Sequence, residues 1–184
     1  DNIFKKKHNH FSFEFSKSNK LIYNDVRKFG FVKLLKNEEI ESCSHLSLLG
    51  PDPLSPKFKS EYLQKKLPII KKNIKNFLMD QKQISGIGNI YANEILYLTS
   101  INPRKKANKL SNKKIPLLIK NTKSVLEDSI KNGGSSIKDF KGISGKSGDF
   151  QQKFKVYDRD GLKCKKRGCK GLIKKIYISN RYTL

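Results

Sequence analysis

Tryptophan is absent from these 184 residues, methionine occurs once, and acidic residues number 16 against 40 lysines and arginines. The shortage of carboxylates leaves a formal net charge of +24, spread along the whole chain and not confined to a tail. Such an excess marks an anion binder, nucleic acid above all, or lysine enrichment in an AT-rich genome. Arginine supplies only 5 of the 40 cations, while lysine, asparagine and isoleucine abound, so the second reading stays open. Cysteine is scarce and odd in number: Cys43, Cys164 and Cys169 exclude a disulfide framework and point to a reducing compartment. No apolar run approaches the ~20 residues that a membrane-spanning helix needs. The first residue is Asp1 and the last, Leu184, falls inside a strand-like pattern, so both ends read as cuts in a longer chain.

What is present divides into three parts. Phe11, Phe13 and Phe15 alternate with Ser12, Glu14 and Ser16, the period of a half-buried strand. "SKSNK" follows as a turn, "LIYND" as the return strand and "FGFVKLL" as a third strand. Residues 1–35 are therefore expected to be antiparallel sheet. "LGPDPLSP" carries three prolines in six residues, each fixing φ and disfavouring helix in its predecessor, and residues 51–56 read as a stiff connector. Residues 57–131 are helical in pattern. One helix is expected over 58–67, and Pro68 can start the next. Ile70, Ile74, Phe77 and Leu78 form an amphipathic stripe. A helix is expected from Asn89 to about residue 98. A longer one, capped by Ser111, has Ile115, Leu118, Ile119, Val125, Leu126 and Ile130 on its apolar face. Residues 132–150 hold five glycines and four serines, a flexible linker or a functional loop. Residues 151–184 return to strand character in "FKVYDRDG" and "LIKKIYISNRYTL". The fold class is α+β.

Four motifs bear on chemistry. "CKKRGC" sets Cys164 and Cys169 five apart on a glycine turn, which suits half of a tetrahedral zinc site or two free thiols. Cys43 reads as a structural thiol. "KKKHNHF" places His8 and His10 in a lysine run; a phosphate contact suits them better than a metal. "DVRKFGF" puts Arg27 beside Phe29, either a plain turn with Phe29 in the core or a wedge for an opened base step. "ISGIGNIYANEIL" places Gly86 and Gly88 at the mouth of a helix. Helix N-termini leave backbone N–H groups unpaired and carry partial positive charge, and glycine lets a phosphate approach. The alternative is a packing joint in which glycine only permits close backbone contact.

In order, "KKKHNH", "YNDVRKFGF", "LGPDPLS", "IKNFLMDQKQISGIGNIYANEIL", "INPRKKA", "GGSSIKDF" and "VYDRDGLKCKKRGC" cover nearly the whole chain. Together they resemble the formamidopyrimidine-DNA glycosylase family, of which endonuclease VIII is a close relative. The resemblance implies that residues 1–50 are the C-terminal part of an N-terminal antiparallel β-sandwich, and that a helix–two-turns–helix DNA-binding domain spans 57–150, with a lesion-recognition loop at 132–150. It implies a partial zinc-finger β-hairpin over 151–184. It also implies base-excision repair by a bifunctional glycosylase and abasic-site lyase. Such an enzyme flips an oxidised purine out of duplex DNA, attacks the sugar with an N-terminal proline amine, and nicks the strand by β- and δ-elimination. The alternatives are an endonuclease VIII-type enzyme for oxidised pyrimidines and a non-catalytic duplex-binding module.

By resemblance, His8, Lys71, Gly88 and Asn89 contact DNA, Arg27 faces the estranged base and Phe29 is the wedge. Val26 stands where the family usually has proline. Ser135, Ser136 and Lys138 belong to the lesion loop. Cys164 and Cys169 hold one Zn2+ in part, and Arg181 contacts DNA and donates a proton in δ-elimination. The implied setting is a monomer in the bacterial cytoplasm, with the nucleoid. The family's catalytic proline, glutamate and lysine, and the second cysteine pair, match nothing in the 184 residues. The chain is accordingly expected to bind DNA without forming the Schiff base at normal rates. Borohydride trapping on duplex containing 8-oxoguanine is the measurement, and a covalent adduct would overturn that expectation.

Overall fold

The computed structural model describes residues 6–16, 19–135 and 148–184. It divides into two compact units, Asp1–Cys43 and Ser44–Leu184.

In the first unit, β1 (Asn9–Glu14) pairs antiparallel with β2 (Lys20–Asn24), with a register shift between Asn9 and Phe11. Phe11 stacks on Tyr23 at 5.0 Å and meets Phe13 edge-on at 5.3 Å, so the alternating aromatics share one face. An ion pair of Lys20 with Glu14 (2.7 Å) closes the far end. The expected third strand is not formed. Asp25 takes up the local N–H groups of Arg27 and Gly30, and "FGFVKLL" runs on as irregular chain with Phe29, Phe31 and Leu34 exposed.

The second unit contains α1 (Ser44–Ser47), α2 (Ser60–Lys66), α3 (Ile74–Met79), α4 (Asn89–Thr99), α5 (Ile115–Lys131) and the hairpin β3 (Ile176–Ile178) and β4 (Arg181–Thr183). The proline-rich stretch is part of this unit and not a boundary. Gly50 N–H donates to Gln81 O (2.8 Å) and Ser85 N–H to Pro51 O (3.2 Å). A Cβ on Gly50 would lie 2.3 Å from the Gln83 backbone, so glycine is what permits this approach. The units part earlier, at Cys43 and Ser44.

Local capping trims the expected helices. Phe58 is buried ahead of α2, and Pro68 opens a 3-10 turn, Leu67–Ile69. Asn73 caps α3 by accepting the Asn76 N–H (2.8 Å), which leaves Ile70 outside the helix in extended conformation. Ser111 caps a short 3-10 turn that runs directly into α5. Ile115, Leu118 and Val125 of α5 are buried against α4, but Ile130 is 66% exposed. Its neighbour Ser129 is buried and hydrogen-bonded to the Tyr91 hydroxyl (2.6 Å). One residue later the helix has turned about 100°, which points Ile130 to water.

"FKVYDRDG" is a succession of turns, not a strand, because one side chain takes its N–H groups. Glu94, buried in α4, accepts from Lys155 (2.9 Å), Val156 (2.9 Å) and Tyr157 (2.8 Å). Burial pushes the pKa of Glu94 upward, and the Val156 and Lys155 N–H groups pull it back. Removing the carboxyl strands three donors at once, two of them buried. Glu94→Ala should therefore lower stability by about 3 kcal/mol or more, and Glu94→Gln, which keeps one acceptor oxygen, by roughly 1 kcal/mol. Urea unfolding of the three proteins checks this; equal midpoints would refute it.

Candidate nucleic-acid interface

The glycine turn is held from behind and open in front. Ile84 and Ile87 are fully buried and pin it to the core. The Gln81 side chain braces it: its Oε1 accepts the Gly86 N–H (2.7 Å), and its Nε2 donates to Ile87 O (3.0 Å) and Met79 O (3.2 Å). Gly86 has φ +79°, the left-handed region that favours glycine. Among the described residues, a Cβ built on Gly86 or Gly88 meets nothing within 4 Å. The packing-joint reading is thereby excluded at these two positions. Gly88 caps α4 in extended conformation, with no side-chain cap, and its carbonyl accepts the Ala92 N–H (3.0 Å). The N–H groups of Asn89, Ile90 and Tyr91 come before the first intrahelical bond and face an unobstructed approach.

Beside this turn the C-terminal hairpin is tied down by amides and an ammonium. Asn89 Nδ2 donates to Tyr182 O (3.2 Å), so its side chain anchors β4 while its backbone stays at the helix mouth. Asn93 Oδ1 accepts the Leu184 N–H (3.0 Å), and Asn76 donates to the Ser179 hydroxyl (2.7 Å). Lys75 is fully buried and donates to Tyr182 O (2.9 Å) and Thr183 Oγ1 (2.6 Å), with no carboxylate bonded to it. Burial, then the positive charge of Arg181, lowers its pKa from 10.5 to about 8. Arg181 itself is exposed on β4. Lys71, the lysine expected at the DNA, is exposed on the loop before α3. That loop pairs with residues 104–107 through Ile74 N–H to Lys105 O (2.7 Å) and Ala107 N–H to Lys72 O (2.9 Å). The pairing gathers exposed Lys71, Lys72, Lys105 and Lys106 on two adjoining loops.

In the first unit, Asp25 organises "DVRKFGF". Its carboxylate accepts from Arg27 N–H (2.9 Å), Gly30 N–H (2.8 Å) and the Tyr23 hydroxyl (3.2 Å), and the Gly30 bond leads in holding its pKa low. Phe29 is 77% exposed, with the Arg27 guanidinium 4.8 Å above its ring. Phe29 is therefore no core residue of this unit. His8 and His10 do not share a strand face. His8 ends a 3-10 turn, Lys6–His8, and its carbonyl accepts the Asp25 N–H (3.0 Å); His10, on β1, bonds Asp25 O through Nε2 (2.9 Å).

The stem of the glycine-rich loop is a tight clasp. Asp149 N–H donates to Asn132 O (2.9 Å) and Phe150 N–H to Gly134 O (3.2 Å). A Cβ on Gly148 would lie 2.2 Å from Gly134 O. Ser135 stands in this stem opposite Asp149, its hydroxyl buried without a partner among the described residues. Ser136 and Lys138 lie outside the described residues.

The cysteine turn closes on itself: Cys164 N–H to Gly171 O (2.9 Å), Cys169 N–H to Lys166 O (3.1 Å), and Lys166 N–H toward Cys164 Sγ (3.5 Å). The Tyr97 hydroxyl lies 3.3 Å from the same sulfur. This contact leads in lowering the Cys164 pKa, and burial leads in pushing Tyr97 up to about 12. Among the described residues no cluster of three or more His, Cys, Asp or Glu side chains is placed to hold a metal ion.

Residues 49–141 match the model of the formamidopyrimidine-DNA glycosylase H2TH domain, half of the chain. The chain belongs to the formamidopyrimidine-DNA glycosylase family. It is 38% identical over 175 residues to the formamidopyrimidine-DNA glycosylase of Roseobacter denitrificans, covering 95% of this chain and 62% of that protein. With the Rhodopseudomonas palustris enzyme it is 37% identical over 182 residues, 96% and 62% of the two chains. It thus spans about three-fifths of the length of these curated relatives. Among solved structures, the Lactococcus lactis Fpg in complex with an abasic site containing DNA superposes with TM-score 0.87 at 35% identity, over 97% of this chain and 65% of that one. The MutM (Fpg) protein from Thermus thermophilus gives 0.88 at 27% identity, over 98% and 68%.

Within this family member, sequence reasoning missed Gln81, Lys75 and Glu94. Lys75 had a faint signal: it sits about 60° from Leu78 around α3, beside the apolar stripe. Its titration has a definite sign. A folded-state pKa below the unfolded value means the folded chain binds fewer protons between about pH 8 and 10.5, so stability rises with pH across that window. Relative to Lys75→Met, the parent should gain stability as pH rises from about 7 to about 10. Denaturation of both proteins across this range tests it, and parallel stability curves would contradict it.

Proposed function

We propose that the chain serves base-excision DNA repair as the backbone-gripping part of a bifunctional DNA glycosylase and abasic-site lyase for oxidised purines. The observation that carries the reading is the open glycine turn at the mouth of α4, braced by Gln81 and free of any packing neighbour at Gly86 and Gly88. A phosphate seated there would meet the N–H groups of Asn89, Ile90 and Tyr91 and the positive end of the helix, with Arg181 and the lysine-bearing loops around it. Arg27 and Phe29, an exposed guanidinium–ring pair on an Asp25-fixed turn, suit entry into an opened base step, the ring stacking and the guanidinium meeting the unpaired base. The β-sandwich and zinc-finger remnants, the proline-amine Schiff base, the lesion loop around Ser135, Ser136 and Lys138, the role of Arg181 in δ-elimination, and a monomer in the bacterial cytoplasm are parts of the same proposal.

The cysteine turn fits a zinc ion in half. Two soft sulfurs stand on one closed turn, with the Lys166 N–H directed at Cys164 Sγ, as a metal-bound thiolate accepts it. A closed structural site needs four donors, so this chain should bind zinc weakly. Zinc there would supply no reaction chemistry; it would fix the finger.

The test separates grip from fold. Gly88 has a backbone any residue adopts and open space at its Cβ, so Gly88→Val should cost no more than its poorer fit as an N-cap, about 1 kcal/mol. The same branched side chain obstructs a phosphate, and affinity for a duplex with an abasic-site analogue should fall roughly tenfold, the scale of one lost charge-assisted contact. Fluorescence anisotropy over a salt series reads both this loss and the counterion slope. Unchanged affinity in the variant would defeat the phosphate seat. Binding insensitive to salt would trace the lysines to genome composition.

A further inference from the structure

We propose that Tyr97 is a positioning residue for the metal at the cysteine turn, its hydroxyl donating a hydrogen bond to Cys164 Sγ. The inference rests on the zinc reading above and extends it to a side chain outside the turn.

Tyr97 belongs to the last turns of α4, far in sequence from the finger, yet its hydroxyl lies 3.3 Å from the sulfur. Two further contacts fix the ring there. Lys166 Nζ sits 4.7 Å above its centroid, and the same ammonium donates to the Ser100 hydroxyl at 2.7 Å. Ser100 is the C-cap of α4, in the left-handed conformation at φ +54°. The turn and the end of α4 therefore hold one another through Cys164, Lys166, Tyr97 and Ser100. Cys164 Sγ also faces the Lys166 N–H, so two donors occupy defined directions around it. A thiolate that accepts hydrogen bonds keeps a free lone pair for a metal in a fixed direction. Partners of this kind, acting behind the ligands, typically change metal affinity by 10–100-fold when removed.

A second consequence is mechanical. α4 carries the glycine turn at its N-terminus and Tyr97 near its C-terminus. Metal at the cysteine turn would thus stiffen the helix that presents the phosphate seat.

Tyr97→Phe removes only the hydroxyl and keeps the ring under Lys166. Cobalt(II) in excess over the full chain is the probe, because its bonds to thiolate give a sulfur-to-metal charge-transfer band. The parent should show that band, and Tyr97→Phe should bind about tenfold more weakly. The band should also move to lower energy, because a sulfur without the hydroxyl donor gives up electrons more easily. A thermal melt confirms that the variant is folded. Equal affinity with an unshifted band would overturn the role of Tyr97 and leave the metal reading standing. Absence of the band in both proteins would overturn the metal reading and this one with it.

Discussion

Three consecutive backbone N–H groups, from Lys155, Val156 and Tyr157, close on the buried carboxyl of Glu94, and α4 becomes a hub through that bond set. A carboxyl taken out of water is costly unless its lone pairs are filled, and a chain turning sharply has N–H groups with nowhere to go. Each solves the other's difficulty. The chain leaving the loop stem is thereby fixed to the same helix whose N-terminus carries the glycine turn. Along that helix Asn89 and Asn93 take hold of β4 and the last residue, and Tyr97 reaches the cysteine turn. A helix of 11 residues thus ties the loop stem, the hairpin and the cysteine turn to one rigid axis.

The polar ties explain a choice of residue types that composition alone does not. Lysine is abundant, yet the mouth of α4 is built from glycine, asparagine and isoleucine. Only two ion pairs form among the described residues, Lys20 with Glu14 and Lys72 with Asp80, so the remaining positive charge is largely uncompensated. Diffuse charge attracts a polyanion from any direction but fixes no register. Backbone N–H groups on a braced turn do the reverse: they act at short range and in one geometry. A lysine at the turn would fill the space that the anion needs. A charged surround and a neutral turn would divide the labour at the proposed phosphate seat.

Legibility in the sequence followed the range of the interaction. α4 and α5 could be read because periodicity and capping residues are local, whereas the strand expected over "LIKKIYISNRYTL" breaks into the hairpin β3 and β4, because Ser179 and Asn180 take the left-handed conformation and reverse the chain. The third strand could not, because the N–H groups of "DVRKFGF" are diverted by Asp25 and strand formation depends on a partner that no local pattern reports. "FKVYDRDG" misled for the same reason, its N–H groups going to a residue some sixty positions earlier. At the candidate site, Gly88, Asn89 and the two cysteines stood out by residue type and spacing. Lys75 and Glu94 were hidden, because a charged residue on a helix is ordinarily a solvated one and burial is a tertiary fact.

Lys75 holds β4 at a cost in stability. An ammonium buried without a carboxylate is a poor stabiliser, and an apolar side chain of similar length would cost less. Its presence is explained by what it bonds: the Tyr182 carbonyl and the Thr183 hydroxyl, flanking the exposed Arg181. A methionine could fill the space but could not fix the register of β4. Two like charges, one buried and one exposed, make the region beside the helix mouth more positive than either alone. Burial leads and the charge of Arg181 follows in lowering the Lys75 pKa, so the neighbouring guanidinium adds to the cost of keeping this ammonium out of water.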